Sequence, residues 1–269
     1  MRHAYVVLLA MLPCTAPAAE APTVNLHYQA FAHGLAVVAM DVSLTLAPGG
    51  YSLTLSYHTT GLAGFLYPGR EIESVSGTWN GDLASPRRYT AEGLWRGRHR
   101  RVDIVYREGR PEIVSIQPPD TEERDPVPPA LRLGTEDSLS ALAQLVRHVD
   151  DTGNCATAAR TYDGRRLSEI SASTAGVETL APAARSMFAG TALRCDFSGR
   201  MLAGFRHDQD RRTAGRPHRG SAWFATVGAT PALPVRMRFE TRWFGDVTML
   251  LTAVTFSTPQ LAQATATPR

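Results

Sequence analysis

From Val24 to Ile116 apolar side chains return at every second position in short runs, and turn-forming residues separate the runs. The alternation is clearest at Val42, Leu44 and Leu46, and again at Tyr51, Leu53, Leu55 and Tyr57, with Pro48-Gly49-Gly50 between the two. Successive residues of a strand point to opposite faces, so a period of two gives one apolar face and one polar face. Proline followed by glycines between two such runs marks a hairpin. Further runs surround Trp79, then Tyr89 and Trp95, then Val102, Ile104 and Tyr106. Short strands joined by tight turns predict a mainly β fold, an antiparallel sheet curled into a barrel or half-barrel.

Residues 118–134, "PPDTEERDPVPPALRLG", break the pattern. Rich in proline and acid, they read as an extended, exposed connection. A helix is predicted over 135–150. Thr135 or Asp137 can cap it, and Leu139, Leu142, Val146 and Val149 fall on one face. That face needs a partner, and the concave side of a curled sheet supplies one. Strand runs resume in "AARTYDGRRLSEISAS", a hairpin with Asp163-Gly164 at its tip, and end in a pair turning near Gly245-Asp246. Residues 19–257 are expected to form a single β-rich domain, and the small, polar residues 258–269 a flexible tail.

The first 18 residues read as a cleavable export signal. Arg2 and His3 precede an apolar run from Ala4 to Leu12, and Ala16-Pro17-Ala18 offers small residues for cleavage. The run is shorter than the roughly 20 residues that span a bilayer. Pro13 before Cys14 does not suit a lipidation signal. Cleavage removes Cys14 and leaves Cys155 and Cys195, 40 positions apart. Two cysteines in an oxidising compartment form a disulfide; a structural metal would need further ligands at close spacing, and none are present. The expected location is the periplasm.

Several stretches resemble a bacterial family of exported proteins known as domain of unknown function 3108. They are "YSLTLSYHTTGLAGFL", "SPRRYTAEGLW", "PVPPALRLGTEDSLSAL", the order "C…YDGRRLSEI…C…GF", and "PVRMRFETRWFGDVTMLLT". Together they cover most of the chain after the signal. The resemblance implies an antiparallel open or spiralled β-barrel with one packed α-helix, similar to envelope proteins that include carriers of acyl chains. It implies no activity, because the family has none assigned.

Chemical motifs are absent. His27, His33, His58, His99, His148, His207 and His218 show no metal-binding spacing, and no Gly-x-Ser-x-Gly nucleophile turn occurs. The net charge is +3, and all 28 lysine-or-arginine positions are arginine, so a lysine-bearing phosphate loop is excluded. The acid pairs Glu71/Glu73 and Glu122/Glu123 read as exposed strand and connection. The arginines at 96, 98, 100 and 101 and at 211, 212, 216 and 219 read as solvated edges, with anionic headgroups or glycans as the alternative; export argues against nucleic acid. Tyr162, Asp163, Gly164, Arg165 and Arg166 are the candidate site, either a ligand-binding group or a structural turn. No catalytic residue, metal or cofactor is expected, and the chain is not expected to span a membrane. The expected role is a non-catalytic binding protein of the envelope, for an apolar or acyl ligand or an envelope protein partner. A scaffold with a filled barrel and an unrecognised hydrolase are the alternatives, and the sequence leaves oligomeric state open. The export reading is checked by intact mass of the protein from its own cell, with a start near Ala19 expected.

Overall fold

Thirteen strands form one antiparallel sheet in a computed structural model that describes residues 21–95, 97–241 and 245–257. The signal segment 1–18 and the tail 258–269 lie outside the described residues. The first meander runs through β1 (Thr23–Ala32), β2 (Leu35–Ala47), β3 (Gly50–Thr59), β4 (Gly69–Asn80), β5 (Leu83–Trp95), β6 (Arg98–Arg107) and β7 (Arg110–Gln117). The second runs through β8 (Thr157–Tyr162), β9 (Leu167–Leu180), β10 (Gly190–Ala203), β11 (His218–Ala225), β12 (Leu233–Thr241) and β13 (Gly245–Ser257). The two meanders join where β1 pairs with β13, from Thr23↔Ser257 to Ala32↔Val247. The edges of the sheet are therefore β7 and β8, and the sheet is not closed.

Alternation dictates the core. Val24, Leu26, Tyr28 and Ala30 of β1, Leu44 of β2, Leu53 of β3, Val75 of β4 and Ile104 of β6 are all buried on the concave face. Helix α2 (Ser138–Thr152), which follows the six-residue helix α1 (Gly61–Leu66), lies against β2, β3, β4, β5 and β8. It turns Leu139, Ala143, Val146 and Val149 inward. Each large aliphatic buried this way contributes roughly 1.5–3 kcal/mol. Asp137 caps the helix, as one of the two residues expected to: Ser140 N donates to its Oδ1 at 2.8 Å, and Gly153 ends the helix in the left-handed region. Polar contacts pin the helix too. Ala84 N donates to Gln144 Oε1 at 2.7 Å, Ala232 N donates to Asp150 Oδ1 at 2.8 Å, and the Arg147 guanidinium stacks over Trp79.

The disulfide joins Cys155 to Cys195 with Cα atoms 5.6 Å apart. Cys155 follows α2 by three residues and Cys195 lies in β10, so the bond ties the end of the helix across β9 to the sheet.

Residues 118–134 are largely exposed, as expected from their composition, but they are not simply an extended connection. They contain two short 3-10 turns, Asp120–Glu122 and Pro129–Arg132, and bury Val127. Their acids are used internally. Arg100 donates to both oxygens of Glu123 at 2.7 Å, and Arg98 reaches Glu122 and Glu123 at 3.1 Å. Asp125 N donates to Phe205 O at 2.9 Å and His207 N to Glu123 O at 3.0 Å, which stitches the connection to the loop after β10. Helix α1 is an element that was not anticipated from the sequence.

Two outcomes test this architecture. Thiol labelling of denatured, unreduced protein should find neither Cys155 nor Cys195 free, and Cys155→Ala should cost about 2–4 kcal/mol in denaturant unfolding. Gly164 sits at φ +89, where a Cβ would meet Val102 Cγ1 at 2.5 Å. Gly164→Ala is therefore expected to destabilise the protein by more than about 2 kcal/mol in the same measurement.

Candidate functional site

Helix α2 fills the middle of the concave face and leaves one end of the barrel open. There β3, β4, β5 and β6 and the β8–β9 turn enclose a cavity of about 310 Å³. Strand β4 defines its floor. Val75 and Gly77 face the core, so Glu73 and Glu71, two and four residues earlier, face the same side, and Ile72 points to solvent at 58% exposure. The Tyr57 hydroxyl donates to Glu71 Oε2 at 2.7 Å, and the Tyr89 hydroxyl donates to Glu73 Oε2 at 2.8 Å. Burial, reinforced by the Glu71 charge, pushes the Glu73 carboxyl up to about 7.

The β8–β9 turn forms the opposite wall. Asp163 Oδ1 accepts from the backbone N–H of Arg165 and Arg166 at 2.9 and 2.7 Å, and Asp163 Oδ2 accepts from Arg166 Nε at 2.7 Å. Burial alone would raise the Asp163 carboxyl, but Arg166 and these N–H donors outweigh it and hold it below the usual carboxylate range. Tyr162 is fully buried and donates its hydroxyl proton to Gly164 O at 2.8 Å, with the Arg132 guanidinium over its ring. Arg165 reaches across the open seam and donates from Nη2 to Gln117 O and Pro118 O at 2.8 and 2.9 Å.

The five residues singled out from the sequence thus divide. Tyr162, Gly164 and one face of Arg165 build the turn and the seam; Asp163, Arg166 and Arg165 also line the cavity. Sequence reasoning placed Glu71 and Glu73 on an exposed strand, and the structure turns them inward. It also missed Tyr57 and Tyr89 as their partners. The signal was available in the spacing from Glu71 through Glu73 to Val75, once Val75 is assigned to the core. Helix α2 occupies the centre of the concave side, and the open end beside it is lined mainly by charged and polar side chains.

The rim is rich in arginine. Arg70, Arg100, Arg101, Arg124 and Arg206 line it together with Arg165 and Arg166. Among the described residues, Arg100 Nε, Arg124 Nε and Arg165 Nη1 are buried donors with no hydrogen-bond partner. Burial, aided by the Arg166 charge, lowers the Arg124 guanidinium to about 10; Arg165 is lowered by burial and by Arg100. Guanidinium groups crowded enough to depress one another favour an anion. Among the described residues no group of three or more histidine, cysteine or carboxylate side chains is placed to hold a metal ion.

Two more carboxyls sit in the interior at the start of α2. Burial and the neighbouring Asp137 push Glu136 up to about 8, and burial raises Asp137 to about 6 despite its bonds to Ser140. Like Glu73, each holds its proton more tightly in the folded chain than in the unfolded one. Their contribution to stability is therefore full below about pH 4 and is lost as pH rises to about 6–8. Thermal unfolding at pH 5.5 and 8.5 should show this slope. Glu73→Gln should flatten it by on the order of 1 kcal/mol, or about 2–4 °C.

The architecture has a structural counterpart. A beta-barrel-like protein of domain of unknown function DUF1849 from Brucella abortus is similar with a TM-score of 0.51 over 88% of this chain and 99% of that one. Sequence identity is 8%, so the likeness is one of fold. No curated protein matches the chain. A family model described as protein of unknown function, DUF3108, matches residues 23–252. The matched span holds all of the helices and strands up to the closing stretch of β13, and the chain belongs to the DUF3108 family.

Proposed function

We propose that this chain is an exported, periplasmic binding protein that takes an anionic group of its ligand into the open end of the barrel. The carrying observation is the set of three buried guanidinium donors without partners, Arg100 Nε, Arg124 Nε and Arg165 Nη1, all from residues that line one cavity. A buried N–H left unpaired costs about 1–3 kcal/mol, and turning these side chains toward an incoming phosphate or carboxylate oxygen removes that cost. The floor complements the rim. A carboxyl near pH 7 at Glu73, beside the Tyr89 hydroxyl, can donate to or accept from hydroxyl groups of the same ligand. The apolar run at the start of the sequence and the Cys155–Cys195 bond support export to an oxidising compartment.

An acyl chain remains compatible with this reading as the tail of an amphiphile whose head occupies the cavity. The role as an envelope scaffold is favoured by one observation, the packing of Ala143, Val146 and Val149 into the concave centre. Calorimetric titration with inorganic phosphate and with lysophosphatidylglycerol, in a buffer free of other polyvalent anions, separates the two. Binding is expected, with a loss of at least about tenfold in Arg124→Met and Arg100→Met. Absence of binding by either probe at millimolar concentration, in protein that unfolds cooperatively, leaves the scaffold as the better account.

A further inference from the structure

The large apolar side chains that the fold leaves exposed are not spread evenly. Thirteen are exposed among the described residues, and five of them, Leu35, Leu62, Phe65, Leu66 and Tyr67, lie together at α1 and the adjoining β1–β2 turn. Helix α1 buries only Ala63; Leu62, Phe65 and Leu66 are 63, 83 and 56% exposed. From Gly61 to Pro68 the chain carries no charged side chain. Single exposed apolar residues are ordinary on a protein surface, but a contiguous group marks a contact.

The position of this group is fixed by the backbone. Thr60 N donates to Val37 O at 2.9 Å, and Tyr67 N donates to Ala63 O at 2.8 Å, so α1 is held against β2 while its apolar side faces outward. A cleft of about 410 Å³ between α1 and the β1–β2 turn is lined by Leu35, Val37, Leu62, Leu66 and Tyr67, with His33 at its edge and no carboxylate. One cation flanks it and a second follows closely in sequence. Arg185 donates from Nη1 to Gly34 O at 2.7 Å and stacks over Phe31, and Arg70 follows Tyr67 by three residues at the start of β4. Neither is paired with a carboxylate among the described residues.

We infer that this lip docks on a lipid bilayer that contains anionic lipid, with Leu62, Phe65 and Leu66 in the interfacial layer and Arg70 and Arg185 at the headgroups. The nearly complete exposure of Phe65, which does not line the cleft, fits insertion into a surface better than enclosure of a soluble ligand. Apolar and aromatic side chains flanked by arginine, without acids between them, match the depth profile of such an interface. The arrangement also brings the cavity of the proposed function to the membrane, since Arg70 and Glu71, which line that cavity, follow α1 directly. The inference does not depend on the cavity binding an anion.

Flotation of the oxidised protein with vesicles of phosphatidylglycerol mixed with phosphatidylethanolamine tests it. The protein should float with these vesicles, float less with phosphatidylcholine alone, and be released partly by high salt. The double variant Leu62→Ser, Phe65→Ser should lose at least about tenfold in vesicle affinity with its thermal unfolding unchanged, because both side chains are already exposed. Arg124→Met, which disables the proposed anion cavity, should float as the parent does. The inference fails if the parent protein does not float, or if the double variant floats equally well. It also fails if the double variant instead abolishes a dimer seen by light scattering, or loses only the binding of a fluorescent fatty acid.

Discussion

A sheet of thirteen strands that does not close must deal with two rows of unpaired backbone groups, and this requirement organises the molecule. The edges are β7 and β8, neighbours in sequence, so one connection can serve both. It does so with backbone and side chain together. Glu136 pairs with β8 through Glu136 N to Arg160 O at 3.1 Å and Tyr162 N to Glu136 O at 2.7 Å. Arg165 bridges from the other side to the carbonyls at the end of β7. Helix α2, suspended between these contacts and the disulfide, then covers the concave face.

Charge at the open end follows from the same economy of space. A helix of fifteen residues reaches the middle of the barrel but not its rim. The uncovered strand ends must therefore present side chains that tolerate water. Glu71, Glu73, Tyr57 and Tyr89 satisfy one another across β3, β4 and β5, and the turn carrying Asp163 and Arg166 faces them. The result is a polar chamber whose floor is acidic and whose rim is basic. Two of its arginines, Arg100 and Arg206, are held by the connection through Glu123.

Much of this was legible from the residues, and the exceptions have physical reasons. Alternation at Tyr51, Leu53, Leu55 and Tyr57 gave β3 its inner face, and Asp137 with the Leu139, Val146, Val149 spacing placed α2. Alternation misleads in "REIESVS", because Ile72 is the only large apolar residue in its first half and invites an inward assignment. The register set by Val75 and by pairing with β3 wins, and the isoleucine is left in solvent. Helix α1 had no legible start: Thr60 makes no side-chain cap bond, and six apolar residues fit a strand as well as a helix. The acids of residues 118–134 looked solvated because their partners, Arg98, Arg100 and Arg206, are distant in sequence.

The seam between the first and last strands has a consequence for the order in which the molecule can be completed. The contact that unites the two meanders, β1 on β13, lies in the interior of the sheet and not at its margin. A chain emerging from its amino end can assemble β1 to β7 early, yet the outer side of β1 stays unpaired until nearly the last residues of the domain arrive. For all that time Thr23 to Ala32 offers a ten-residue ribbon of free N–H and C=O groups to any other extended segment. The most central hydrogen bonds of the finished sheet are thus the last to become available. A nascent chain of this design has every reason to be kept apart from its neighbours until its carboxyl end is complete.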